Sequence, residues 1–196
     1  MPDVAVLDTA AAALVALDPT RARLLAALAE EPASAAGVAA RVDLPRQKVG
    51  YHLKALQEQG LVVEVEQRRH GGLTERVLAA SAGAYVVSTA AMGGAGADPA
   101  RVPDRLSASY LLALAARVVR EVGALVRGAE DAGKRLPTLS IDADIRFRSA
   151  AERAAFADEL AAAVRSLAAR YHDESAPGGR WHRVVAVSHP RPEEPT

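Results

Sequence analysis

The sequence predicts a mainly helical fold with some β-structure (mainly α with α+β elements), divided into two halves. Apolar residues recur at helical spacing in most segments, and they alternate as in a strand in only a few short ones. A stretch rich in Gly and Ala, residues 89–102, lies near the middle of the chain. We therefore expect an N-terminal domain over residues 1–90, a linker over 91–102 and a C-terminal domain over 103–190.

Composition limits the kinds of partner and chemistry. The chain has 196 residues, 50% of them hydrophobic, and its 24 basic residues balance 24 acidic ones. A polyanionic partner would therefore have to meet a local basic patch. The absence of cysteine excludes disulfides, thiolate metal sites and a Cys nucleophile. The Ala-rich run at 10–17 is too short to span a bilayer and lacks a basic start, so we expect a soluble cytoplasmic protein with no membrane contact.

Short helices open the N-terminal half. Asp18 is expected to cap the second helix with Pro19 at its first position, and Ser34 is expected to cap the third. A fourth helix is entered through Pro45 and ends before Gly60. The predicted helices cover residues 9–17, 20–29, 35–42 and 44–59.

The fourth helix has two contrasting faces. Val49, Leu53 and Leu56 form one narrow apolar stripe, which predicts the buried side. The opposite side is rich in hydrogen-bond donors and has a glycine, which suits the major groove of DNA because that groove admits one helix. By itself this pattern would also fit an ordinary solvated surface helix. The expected DNA-contacting residues are Arg46, Gln47, Lys48, Gly50, Tyr51 and Lys54.

A predicted hairpin follows the fourth helix. Strands are expected over residues 61–66 and 74–79, and residues 84–88 form another short strand or turn. The connecting loop, 67–72, ends in the turn pair Gly71-Gly72. Two short helices joined by a tight turn and followed by a hairpin with a basic tip describe a winged helix-turn-helix. The tip residues expected to contact phosphates are Arg68, Arg69 and His70.

Residues 15–79 resemble the winged helix-turn-helix of ArsR-type bacterial repressors. The segments that carry the resemblance are LDPTR at 17–21, VGYHLKAL at 49–56 and EQGLV at 58–62. The resemblance implies double-stranded DNA binding as a homodimer and repression relieved by an effector. Many members of that family sense metals through Cys or His clusters. Because this chain has no cysteine, we expect a small organic molecule or a protein as effector, with no metal site and no cofactor.

The C-terminal half begins with a long predicted helix, residues 103–135. One apolar row is joined by a second at 112, 119 and 126, and together they are wider than one partner face requires. Packing within one chain and packing against a second copy both remain open. The first row, expected to form the dimer interface, is Leu111, Leu114, Val118, Val122 and Leu125.

A βαβ unit is predicted at the C-terminus. Residues 138–148 alternate as a strand, Ser149 and Glu152 form a capping box for a helix over 150–171, and a final strand covers 181–188. A right-handed crossover would make the two strands parallel. The effector is expected between this unit and the long helix, near Arg146, Trp181 and Arg183.

The residue patterns predict a DNA-binding transcription regulator, and the resemblance to ArsR-type repressors implies a dimeric repressor whose release from DNA is controlled by an effector. A winged helix used as a protein-interaction module is the alternative. It should show apolar or acidic residues at positions 46, 47, 50, 51 and 54, where this chain shows mostly donors. An enzyme should show a convergent set of titratable residues, and none is visible in the sequence, so we do not expect catalysis.

Overall fold

The computed structural model describes residues 2–70 and 73–192 of the chain. The chain divides into two compact units, Met1–Leu136 and Pro137–Thr196. The first unit contains five helices of the α type, five strands and two 3₁₀ helices within the described residues. In chain order these are β1 Val4–Leu7, α1 Ala10–Ala16, α2 Pro19–Glu30, β2 Ala33–Ser34, α3 Ala35–Val42, α4 Arg46–Glu58, β3 Val62–His70, β4 Leu73–Ala80, β5 Ala84–Val87, 3₁₀ helices at Thr89–Ala95 and Pro99–Arg101, and α5 Ala108–Asp131.

Side-chain caps set the starts of the first three helices. The backbone N–H of Arg21 donates to the Asp18 carboxylate at 2.9 Å, which holds the pKa of that carboxyl below its usual value. The Ser34 hydroxyl accepts from the Gly37 N–H at 3.2 Å. Such caps satisfy N–H groups that have no partner inside the helix. The predicted caps at Asp18 and Ser34 and the bounds of α3 are confirmed.

The ends of α4 differ slightly from the prediction. Pro45 lies at the N-cap with an extended backbone, and the helix starts one residue later, at Arg46. Past the C-terminus, Gly60 adopts a φ of 68°, the left-handed conformation that glycine accepts without steric cost. The helix therefore spans thirteen residues, somewhat fewer than the sequence predicted.

One hydrophobic cluster joins the helices to the sheet. It includes Leu24 and Leu28 of α2 and Val38 of α3. The predicted stripe of α4 is confirmed, since Val49, Leu53 and Leu56 are all in this cluster. The sheet contributes Val62, Leu78 and Ala80. Burial of these side chains fixes the rotation of α4 about its own axis.

The antiparallel sheet has the order β2-β4-β3. β3 continues to His70, so Arg68 and Arg69 lie in a strand and the predicted loop over 67–72 is corrected. The pairing of Arg68 with Glu75 and of Arg69 with Thr74 extends the ladder outward. The predicted turn pair Gly71-Gly72 lies outside the described residues. A register shift between Glu64 and Glu66 marks a bulge in β3.

A second, two-stranded sheet pairs β1 with β5 in parallel. The elements predicted from the sequence begin at residue 9, so β1 was not predicted. The strand has only four residues, and its partner lies far along the chain, so no local pattern marked it. Residues expected to form a structureless linker instead contain the two 3₁₀ helices.

Helix α5 packs on β1 and belongs to the first unit. Gly123 is buried, and a Cβ at that position would lie 2.7 Å from Cβ of Val6. Arg127 donates to the Val6 carbonyl at 3.2 Å and pairs with the Asp8 carboxylate at 2.6 Å. The helix is shorter at both ends than the predicted 103–135. The first unit therefore extends beyond the residue range given to the N-terminal domain.

The second unit contains one helix, α6 Ala150–Tyr171, among its described residues. The predicted cap at Ser149 is confirmed, because its hydroxyl accepts from the Glu152 N–H at 3.1 Å. The Glu152 carboxylate accepts at 2.6 Å from the N–H of Arg148, one residue before the cap, so the reciprocal half of the predicted capping box is shifted. Residues 138–148 and 181–188 form no strands in the structure, so the prediction of a βαβ unit was wrong. Alternation of apolar and polar residues predicts a strand with two different faces, but it does not show that a partner strand exists. A sheet of only two strands is also marginally stable by itself.

None of the helices in residues 2–70 and 73–192 is both long and apolar enough to cross a bilayer.

We expect Gly123→Ala to destabilise the first unit, because the added methyl group must displace Val6. Overpacking of this kind costs about 1–3 kcal/mol. Gly128→Ala is the matched control in the same helix, where a Cβ meets nothing within 4 Å. Its expected effect is a gain of up to about 1 kcal/mol from helix propensity. Chemical denaturation of both full-length variants measures the difference, and equal stability would contradict the close contact.

Candidate nucleic-acid interface

The turn between α3 and α4 sets the geometry of the site. Asp43 adopts a left-handed conformation, φ 51° and ψ 56°, and the Leu44 N–H donates to the Ala39 carbonyl at 3.1 Å. Helix α4 begins three residues after Asp43. So short a turn restricts the angle between the two helices, as in a helix-turn-helix.

Two arginines hold α2 against α3. The guanidinium of Arg23 donates to the Val42 carbonyl at 2.7 Å, at the end of α3. Arg41 donates to the carbonyls of Ala27 and Glu31 at 3.2 and 2.8 Å. These bonds bring a charged donor to carbonyls at helix ends, where intrahelical partners run out. Sequence analysis gave neither arginine a role, although both support the helix that carries the candidate site.

The outward face of α4 has the composition and exposure that the sequence predicted. Val49 and Leu56 are 0% exposed, so the opposite side of the helix must face away from the core. A Cβ at Gly50 would meet nothing within 4 Å, so the surface is open at that point. The residues predicted to contact DNA here are all exposed: Arg46, Gln47, Lys48, Gly50, Tyr51 and Lys54.

Charge on this face is concentrated in the first turn of α4. Within the described residues, Arg46 and Lys48 form no ion pair with a carboxylate, whereas Lys54 lies 4.0 Å from Glu58. A helix N-terminus also presents unpaired backbone N–H groups and a positive dipole end. The beginning of α4 is therefore suited to a phosphate group, and its middle is suited to base edges.

His52 lies beside the outward face. Its ring is half-buried and contacts Tyr51 edge-on, with the centroids 5.4 Å apart. Its Nδ1 atom is buried and has no hydrogen-bond partner among the described residues. The side chain is therefore placed for packing beside the buried stripe of α4.

The hairpin formed by β3 and β4, called the wing here, is less basic than the sequence suggested. Arg68 donates to both carboxylate oxygens of Glu66, at 3.0 and 2.8 Å, which lowers the pKa of Glu66 and raises that of Arg68. Arg76 pairs with Glu64, whose carboxylate also accepts from the Gln67 amide at 2.6 Å. Acidic neighbours therefore neutralise part of the charge that the prediction assigned to the hairpin tip.

The other two wing residues named by the prediction differ in what can be said of them. Arg69 is exposed and forms no ion pair within the described part of the chain. His70 ends β3, and its side chain lies outside the described residues.

The predicted dimer row lies on the outer side of α5. At about 100° per residue, it falls opposite Ala113 and Gly123, the buried positions of this helix. Val122 is 39% exposed and Leu125 is 56% exposed. Leu111, Leu114 and Val118 are half-buried. The row therefore points away from the β1–β5 sheet.

The three predicted effector residues all belong to the second unit. Arg146 and Arg183 are exposed, and Trp181 is exposed with its ring 5.5 Å from that of His172. Neither predicted strand that would have carried them is formed. The structure thus places these residues in irregular segments, where their side chains are exposed.

A half-open apolar cavity of about 280 Å³ lies elsewhere, in the first unit, between α1, α2 and the β1–β5 sheet. Leu7, Leu25 and Tyr85 line it, and the Tyr85 hydroxyl already donates to the Leu61 carbonyl at 2.9 Å. Sequence analysis missed this cavity because β1 was not predicted. Across residues 2–70 and 73–192, no three His, Asp or Glu side chains are grouped as a metal site would require.

Comparison with known families gives one match. A family model described as a helix-turn-helix domain matches residues 16–65, roughly a quarter of the chain. The match covers α2, α3, α4 and the start of β3. Among curated proteins, none matches the chain. The matched model supports a DNA-binding regulator of the helix-turn-helix kind and does not single out the ArsR type.

Proposed function

We propose that this protein is a sequence-specific regulator of transcription that binds double-stranded DNA in the cytoplasm. In this proposal it is an ArsR-like repressor that acts as a homodimer and leaves its operator when an effector binds. The observation that carries the proposal is the exposed donor face of α4, held by a helix whose opposite side is fully buried. A protein-interaction winged helix is disfavoured, because a row of solvated donors suits nucleic acid better than an apolar partner.

The roles of the α4 residues follow from their positions. Gln47 and Lys54 project from the middle of the outward face and are proposed to reach base edges or nearby phosphates. Tyr51 shares this face, and Arg46 and Lys48 lie on its flanks. Glutamine can form two hydrogen bonds with adenine in the major groove. Phosphate contacts of the wing would hold this helix in register on the duplex.

Replacing Gln47 with Ala should weaken binding to the preferred site by about 1–3 kcal/mol and weaken binding to random DNA much less. The preferred site comes from selection against a random duplex pool. Gln57→Ala is the matched control, since Gln57 lies half-buried near the other end of the same helix. Equal weakening of both DNAs by Gln47→Ala would make Gln47 a positioning contact and not a base reader.

Gly50→Ala should separate stability from DNA binding. The added methyl group meets no protein atom, so helix propensity should raise the free energy of unfolding by up to about 1 kcal/mol. The same methyl group lies on the face proposed to approach DNA, so operator affinity should fall. Denaturation and operator titration on one preparation test both effects. A variant that is more stable and binds the operator normally would show that DNA does not approach Gly50.

The dimer is proposed to form through the outer row of α5. The whole chain carries no net charge, so attraction of a single copy to phosphate is weak. Two linked copies make the second contact intramolecular, which can raise affinity by about 10²–10⁴. The segment from α5 onward therefore supplies dimerisation and effector response, and the helices before it supply DNA contact.

Replacing both Val122 and Leu125 with Gln should give a monomer that binds the operator poorly. Both side chains are exposed, so the fold of the chain should tolerate the change. Leu106→Gln is the control, at a leucine that is 97% exposed and precedes α5. Sedimentation gives the oligomeric state, and footprinting of the wild type should protect two half-sites about 34–36 Å apart. A double variant that remains dimeric would remove α5 from the interface.

The effector is proposed to be a small organic molecule or a protein that binds the second unit through Arg146, Trp181 and Arg183. Trp181 is the only tryptophan of the chain and is 81% exposed, so its fluorescence reports on this region. Micromolar zinc, nickel or copper should leave the complex with DNA intact. Release of DNA by one of these ions, reversed by a chelator, would contradict this part of the proposal.

A further inference from the structure

The two surfaces of the wing carry different side chains. Residues that pair across antiparallel strands share a face, and neighbours along a strand point to opposite faces. Gln67 pairs with Arg76 and Arg69 pairs with Thr74, whereas Arg68 pairs with Glu75. Side-chain contacts agree with this register. The first surface, named the near face, holds Glu64, Gln67, Arg69, Thr74 and Arg76, and the second, named the far face, holds Glu66, Arg68 and Glu75.

The near face lies on the same side of the sheet as α4. Along β4, Leu78 and Ala80 alternate in step with Arg76, so all three share one face. Leu78 and Ala80 lie in the core cluster that also contains Val49 and Leu56 of α4. A duplex seated on the outward face of α4 would therefore pass the near face of the wing.

The charge differs between the two faces. The near face has two cations, Arg69 and Arg76, and one acid, Glu64. The far face has one cation, Arg68, and two acids, Glu66 and Glu75. Phosphates are thus attracted to the near face and repelled from the far face. Arg68 and Arg76 are each paired with a glutamate, Glu66 and Glu64, so the charge of the two faces, and not the pairing, separates them.

We infer that the wing meets the DNA backbone through its near face, with Arg69 and Arg76 as phosphate contacts, and that Arg68 stays with Glu66 on the far face. This inference rests on the proposed DNA-binding function. The sequence predicted phosphate contacts from two adjacent arginines, Arg68 and Arg69. The inference assigns these contacts to Arg69 on β3 and Arg76 on β4. Glu64 then opposes the contact, because it repels phosphate and occupies Arg76.

Two charge-matched pairs of full-length variants test the inference. Arg69→Gln and Arg68→Gln each remove one positive charge, and the two positions are adjacent. The long-range electrostatic attraction between the protein and DNA therefore changes equally in both variants. Arg69→Gln should reduce the slope of log affinity against log salt by about 0.9 for each copy of the wing on the duplex, whereas Arg68→Gln should leave the slope unchanged. The loss of affinity between about 50 and 200 mM salt should thus shrink about threefold per copy in Arg69→Gln only.

The second pair of variants tests for a gain in DNA affinity. Misfolding of a variant cannot produce such a gain. Glu64→Gln should tighten both operator and random DNA, because it frees Arg76 and removes repulsion at the near face. Glu66→Gln, which changes the far face by the same charge, should alter affinity by less than about twofold, which is below the effect of one phosphate contact. Thermal melting of each variant confirms that the wing remains folded.

The outcomes separate this inference from the proposed function. If Arg68→Gln and Arg69→Gln lower the salt slope equally, or if Glu66→Gln tightens DNA as much as Glu64→Gln, the near face has no special role and the inference is overturned. If the wild type binds no duplex even at low salt, the proposed function fails, and this inference fails with it. A smaller salt slope for Arg69→Gln than for Arg68→Gln supports both the proposed function and this inference.

Discussion

Burial of Val49, Leu53 and Leu56 is the constraint on which the rest of the N-terminal unit depends. These side chains are at most 2% exposed and contact a cluster built from α2, α3 and the antiparallel sheet. Because a helix is rigid about its axis, burying one face aims the opposite face outward. The donors of α4 therefore need no contacts of their own to be positioned. The arginines that cap helix ends in α2 and α3 maintain the angle from which that face projects.

Charged residues of the wing pair mainly with one another. Carboxylates of the hairpin pair with its own arginines, so the wing carries little net charge although it contains several cations. Exposed ion pairs of this kind contribute little to stability, because water screens them. Their larger effect is on where phosphate can approach. A regulator that must distinguish one site from random DNA gains from weak non-specific attraction, since that term is independent of sequence.

The contact between Gly123 and Val6 determines which side of α5 faces β1. A glycine there lets the helix lie close to β1, and the Arg127–Asp8 pair holds the same junction. The small residues of α5 thus face its own unit, and the larger apolar residues face outward. In this arrangement the inner contact requires little apolar area, and Val122 and Leu125 of the outer row are exposed.

The sequence by itself determined the helices of the N-terminal unit, their caps, and which residues of α4 face outward. Those features depend on interactions within one or two turns, between residues such as Asp18 and Arg21 or Ser34 and Gly37, so the local pattern is sufficient. Tertiary structure alone decided the pairing of β1 with β5, the faces of the wing and the absence of the C-terminal strands from the described chain. Strand pairing joins residues distant in sequence, and alternation at 138–148 carries no information about whether a partner strand exists. The bulge near Glu64 likewise decides which wing arginines share a face, and a bulge follows from pairing that the sequence does not display.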